Sequence, residues 1–177
     1  PLLANAQLSC EVSTVRGRTL PASTFPELAQ TLLDTEPLEI PGVCRCLAGP
    51  QADWFDDQFW NQLYRVSPTG NRMGLRLLGE PLTRSPREMI SEAVSPGAVQ
   101  ITNDGLPIVL GMDGQTIGGY PKVAHVLSVD LPQLGQLRPG DTIRFQQVNE
   151  EEATILRQRY TDRQRAIDEY LNAAIRE

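Results

Sequence analysis

The sequence predicts a mainly β protein, a barrel or sandwich with minor helices, followed by one long C-terminal helix. Three observations carry that expectation. Between Val43 and Phe145, short apolar or alternating runs are separated by Gly, Pro, Asn and Asp turn signals. From Glu150 onward, apolar residues recur at helical spacing instead. With 40% hydrophobic and 21% charged residues in a chain of 177, the composition is that of a globular protein able to bury a sizeable core.

Taken in order, Gln7 to Val12 reads as a strand, and Ser23 or Thr24 can cap a short helix with Leu28, Leu32 and Leu33 on one face. Pro37, Pro41 and Gly42 end that unit. The expected division is therefore 1–41 as the remainder of a preceding domain and linker, 42–149 as the main domain, and 150–177 as the helix. Val43 to Leu47 opens the main domain as a strand. Asp53 can cap a helix running through Leu63, with Trp54, Phe55, Phe59, Trp60 and Leu63 giving it an apolar face for the core. Tyr64–Val66 and Leu75–Leu78 read as strands flanking a loop, and Pro86 to Ile90 as a helical turn.

Ala98-Val99-Gln100-Ile101 alternates as a half-buried strand would, and Asn103-Asp104-Gly105 supplies the turn. Pro107 to Leu110 is a short apolar run, consistent with a fully buried strand. Val123 to Val129 forms another strand, and Asp130-Leu131-Pro132 opens a short helix that stops near Gly135. Arg138 to Asp141 makes a turn, and Thr142 to Phe145 alternates into the last strand. In the final helix, Ala153, Leu156, Tyr160, Ile167, Tyr170, Leu171 and Ala174 form an amphipathic face, with acids at its start where they suit the helix dipole.

A net charge of −6 with no basic stripe argues against nucleic acid or an anionic membrane as partner. No window approaches the roughly 18 consecutive apolar residues of a membrane helix, and no signal peptide is visible, so the expected location is cytoplasmic. Cys10, Cys44 and Cys46 are expected to be reduced and structural, Cys44 and Cys46 on opposite faces of their strand; no metal site is expected. His125, in an apolar strand, reads as a satisfied core histidine. No nucleophile triad and no P-loop can be assembled.

Two polar groups remain as candidates for binding. Asn71, Arg72 and Arg76 bracket a loop between strands, where a planar guanidinium fork suits a carboxylate or phosphate; alternatively Arg72 pairs with a neighbouring acid. Gln115, Thr116, Gly118, Gly119, Tyr120 and Lys122 form the second. Paired glycines allow close backbone approach, Gln and Thr can read a polar edge, and Lys122 can neutralise an anion; alternatively the glycines answer backbone geometry alone. Asp113 beside them can orient Lys122.

Three stretches carry a family resemblance. Gln115-Thr116-Ile117-Gly118-Gly119-Tyr120-Pro121-Lys122-Val123-Ala124 is similar to the signature of the allophanate hydrolase subunit 2 family, also called the family of 5-oxoprolinase C subunits or of biotin-dependent carboxyltransferases. Ser67 to Leu77, with Asn71-Arg72-Met73-Gly74, and Ser91 to Gln100, with Ser91-Glu92 and Pro96-Gly97, agree in order and spacing. Gly49-Pro50-Gln51 resembles the family's step from strand to helix. Members of the family are longer, so the chain, which begins with Pro1, looks like their C-terminal part.

The resemblance implies a cyclophilin-like β-barrel. It implies one subunit of an ATP-dependent 5-oxoprolinase that opens 5-oxoproline to glutamate, working with a companion cyclophilin-like subunit and a separate hydrolase subunit, and inactive alone. ATP would be used by the assembled complex, with no cofactor bound tightly here. Related sequences form the carboxyl-transfer segment of urea carboxylase, where carboxybiotin donates to urea, and other relatives antagonise a kinase inhibitor. In both enzymatic readings the two polar loops would serve a small amide substrate at a barrel mouth, whereas in the last the barrel would be a non-enzymatic regulatory binding module.

Overall fold

The computed structural model of the protein describes residues 42–174 and the short pairs 14–15 and 18–19. The strand expected at Gln7–Val12, the helix expected after Ser23 and Cys10 lie outside the described residues. The chain divides into two compact units, Pro1–Pro37 with Arg159–Glu177, and Leu38–Gln158. In the first, β1 (Thr14–Val15) pairs antiparallel with β2 (Arg18–Thr19).

The second unit is a closed seven-stranded barrel. Its strands are β3 (Val43–Ala48), β4 (Tyr64–Val66), β5 (Gly74–Leu78), β7 (Ala98–Ile101), β8 (Pro107–Leu110), β10 (Lys122–Val126) and β11 (Thr142–Gln147). Around the ring they run β10-β3-β11-β4-β5-β8-β7, and β7 closes on β10. Every pairing is antiparallel except β3 with β11. A two-stranded ribbon, β6 (Glu92–Ala93) with β9 (Ile117–Gly118), flanks the barrel. Three α-helices are also described: α1 (Gln58–Asn61), α2 (Leu131–Leu134) and α3 (Glu150–Ala174). The mainly β expectation holds, and the closed barrel is consistent with the cyclophilin-like barrel that the resemblance implies.

The turns follow their residue chemistry. Gly105 and Gly140 take positive φ, 77° and 95°, in the turns after Ile101 and before β11. Asn149 and Glu152 cap α3 reciprocally, the Glu152 N–H donating to Asn149 Oδ1 at 2.8 Å and the Asn149 N–H to Glu152 Oε2 at 3.0 Å. On α3 the half-buried positions include Ala153, Leu156, Tyr160, Ile167, Tyr170 and Leu171, the face that the helical period predicts.

Several expectations change. The helix expected over 53–63 is a 3-10 turn, Ala52–Trp54, and the short α1, because Phe55 between them is extended (φ −121°, ψ 156°). The aromatic residues pack inward all the same. Phe59 is fully buried and stacks on Phe145 at 4.8 Å, and Trp54 and Trp60 lie against the core. Leu63 is exposed instead of joining that face, since the chain has already turned into β4. Residues 86–90 form no helical turn. Their segment is tied to Trp54, whose carbonyl accepts the Ser85 N–H, and to Asp53 through Arg87.

β7 is buried on both faces, not one: Gln100 is covered by the 117–120 segment and its Nε2 donates to the Tyr120 carbonyl at 3.1 Å. β10 ends at Val126, where the chain turns toward Asp130. Cys44 and Cys46 are both buried in the core cluster, free of any disulfide. Being two residues apart on β3 they share a face, contrary to the expectation, because a strand's side chains repeat every second residue.

Candidate functional site

The expected binding residues fall at two ends of the barrel. Around the ring, neighbouring antiparallel strands place the β4–β5 loop, with Asn71 and Arg72, at the same end as the C-terminus of β8 and the N-terminus of β7. Lys122 begins β10, and Gly49 to Gln51 follow β3, at the opposite end. The two loops thus do not share one mouth. Arg76 lies between them on β5, exposed, beside a small cavity of about 90 Å³ that Thr102 and Asp104 also line.

At the Lys122 end the motif stretches meet. The β6–β9 ribbon pairs Glu92 with Gly118, and the Val94 N–H donates to the Thr116 carbonyl at 2.9 Å. Lys122 Nζ lies 2.8 Å from Glu92 Oε2 and donates to the Ala93 carbonyl at 3.1 Å; its side chain is only 16% exposed. Gln51, itself buried, ties this pair to the barrel. Its Nε2 donates to Glu92 Oε1 at 3.2 Å, and its Oε1 accepts the Lys122 backbone N–H at 3.0 Å. The Lys122 ammonium, hydrogen-bonded to Glu92, holds that carboxyl below the usual carboxylate range, with Gln51 adding to the effect.

Gly118 lies close against two glutamine side chains where these pieces touch. A Cβ on Gly118 would fall 2.6 Å from Gln100 Nε2 and 3.0 Å from Gln115 Nε2. Gln115, Gly118 and Tyr120 therefore belong to the neighbourhood of Lys122, over the buried Gln100. Gln115, Thr116 and Gly119 are exposed, on the solvent side of the ribbon. Gln51 and Glu92 are two members of the cluster that are absent from the residues expected to bind. Both stand in the motifs Gly49-Pro50-Gln51 and Ser91-Glu92, which is the signal that points to them.

At the other end Arg72 is 92% exposed and lies 3.4 Å, through Nε, from Asp113. Asp113 therefore faces Arg72 and does not orient Lys122. Asn71 is spent on its own loop, Oδ1 accepting the Met73 N–H at 2.9 Å. Asn71, Arg72 and Asp113 border a cavity of about 490 Å³. His125, half-buried, is satisfied as expected: Nδ1 lies 3.0 Å from the Val126 carbonyl and Nε2 3.0 Å from Ser95 Oγ. No group of three or more metal-ligating side chains is found among the described residues.

One mouth of the closed β-barrel thus carries a Lys–Glu–Gln cluster beside a glycine-rich ribbon. The chain belongs to the family described as carboxyltransferase domain, subdomain A and B, whose model matches residues 6–147. It is 42% identical to the C subunit of 5-oxoprolinase from Escherichia coli over 130 residues, covering 71% of this chain and 41% of that protein. It is 34% identical to the C subunit of 5-oxoprolinase from Haemophilus influenzae over 179 residues, covering 93% of this chain and 58% of the relative. The chain thus spans about half the length of these relatives. Among solved structures, Kluyveromyces lactis urea carboxylase superposes with a TM-score of 0.64 at 28% identity, over 75% of this chain and 13% of that one. No described helix is long and apolar enough to cross a membrane.

Proposed function

We propose that this chain is part of one subunit of an ATP-dependent 5-oxoprolinase, a cytoplasmic complex that opens 5-oxoproline to glutamate. The observation that carries the reading is the 42% identity to the C subunit of a 5-oxoprolinase. The Lys122–Glu92–Gln51 cluster fits a small lactam. Glu92 can accept the lactam N–H, and Lys122, with one ammonium hydrogen left beyond Glu92 and Ala93, can donate to the ring carbonyl. Gln51 acts as a positioning residue, since it fixes both partners. ATP enters through the assembled complex, which also contains a companion cyclophilin-like subunit and a hydrolase subunit.

The urea carboxylase likeness favours a second reading, in which the same cluster receives urea and a carboxyl group from carboxybiotin. One assay separates them: conversion of 5-oxoproline to glutamate by the full-length protein with the products of its neighbouring genes, with and without ATP. The expected result is turnover that requires ATP and this subunit, lost in Lys122→Ala and in Glu92→Gln. An assembled complex without turnover, or wild-type rates in both variants, overturns it, and urea with carboxybiotin becomes the next substrate pair.

A further inference from the structure

We propose that the cavity at the Arg72 end of the barrel is a second ligand site, for an amphipathic monocarboxylate larger than 5-oxoproline. The inference goes beyond the 5-oxoprolinase reading and uses none of its residues. At about 490 Å³ the cavity lies within the range of small-molecule sites, and its wall is mostly apolar, with Leu75, Val109, Leu131, Leu134 and Leu137 from three parts of the chain. An all-apolar hollow would take a neutral hydrophobe; this one is bordered by Arg72.

Arg72 is the cation best placed to receive a charge. Lys122, at the other end, is held by Glu92 and a backbone carbonyl. The nearest approach of Arg72 to Asp113 is through Nε, at 3.4 Å and in solvent, a contact of the kind worth about 0–1 kcal/mol. No hydrogen bond from its two terminal nitrogens is found among the described residues, and together they can form the fork that a carboxylate fits.

The rim is preformed. The Gly111 N–H donates to the Met73 carbonyl at 3.0 Å, and the Gly114 N–H to the Gly111 carbonyl at 3.1 Å. A Cβ on Gly111 would sit 2.4 Å from the Arg72 carbonyl, so the Arg72 and Asp113 loops are locked edge to edge. A carboxylate laid against Arg72 would let its apolar body enter among the leucines, and ligand binding would need little rearrangement.

Calorimetric titration of the full-length protein with octanoate, and with octan-1-ol as the neutral control, tests this. Both are expected to bind, and Leu134→Trp, which fills the cavity, is expected to abolish both. Arg72→Ala is expected to weaken octanoate by about five- to tenfold and leave octan-1-ol unchanged. Lys122→Ala is expected to leave octanoate binding unchanged, so that this result stands or falls apart from the turnover assay. Absence of octanoate binding at millimolar concentration, binding that survives Leu134→Trp, or equal response of both ligands to Arg72→Ala overturns the proposal.

Discussion

Arg45 grips Asp130 with side chain and backbone together. The Arg45 N–H donates to Asp130 Oδ2 at 2.7 Å, Nε donates to the same oxygen at 2.9 Å, and a terminal nitrogen pairs with Oδ1. Both side chains are buried, and the Leu127 N–H returns to the Arg45 carbonyl at 2.9 Å. The pair fastens β3 to the segment that leads into α2, on the wall of the Arg72-end cavity. Removing one partner strands a buried charge, so Asp130→Ala should cost about 3–5 kcal/mol. The double variant Arg45→Met/Asp130→Leu should recover much of that loss in urea denaturation. A single variant as stable as the wild type would contradict the assignment.

The thiols beside this pair should be inert and should carry a pH signature. Burial, then the Asp130 carboxylate, push the Cys44 thiol up to about 12, against a smaller opposing effect of Arg45. Burial likewise raises Cys46. Both groups are neutral in the folded state where the unfolded thiol would ionise, so the unfolded state loses protons first. Stability is therefore complete below the ordinary thiol value of 9.0 and falls as pH rises toward 12. Iodoacetamide at pH 8 should leave Cys44 and Cys46 unmodified until denaturant is added; rapid native alkylation would contradict this.

Glu92 should titrate below its ordinary value of 4.5, because the charged form is hydrogen-bonded to Lys122. Its contribution to stability is present above 4.5 and lost as pH falls through the lower folded value. Carbon-detected NMR titration should show that depressed midpoint in the wild type and its return upward in Lys122→Met. An identical midpoint in both proteins would mean that the ion pair does not form in solution.

Gly49 should not tolerate a side chain. A Cβ there would lie 2.3 Å from the Lys122 carbonyl oxygen and 2.9 Å from the Ala124 nitrogen, both backbone atoms with nowhere to move. Gly49→Ala should destabilise by about 1–3 kcal/mol and disturb Lys122 in the same step. Thermal melting and the Glu92 titration read the two effects separately. An unchanged melting temperature would contradict the close approach.

Most strands are legible in the sequence because each carries its own pattern. Val43–Leu47, Tyr64–Val66 and Pro107–Leu110 need only local apolar runs and turn residues to be found. The residues around Trp54 mislead, since rings spaced for a helix face also suit a turn that drops them into the core one by one. The division of the candidate binding residues between two ends is not legible, because it depends on strand order around the ring. Arg45 and Asp130 are wholly silent: 85 positions separate them, and neither stands in a motif. Gln51 and Glu92 lie in plain view within motifs, yet their pairing with Lys122 needs the ribbon to be built first.

The parallel seam between β3 and β11 governs how the protein comes into being. Val43 pairs with Arg144 and Cys46 with Gln147, partners about a hundred positions apart, while the other ring neighbours of β11 and β3 are antiparallel. A nascent chain from which Thr142 has not yet emerged holds β3 and β4 with bare edges toward each other, open to foreign strands. Ring closure therefore waits for β11, the last strand of the ring in chain order.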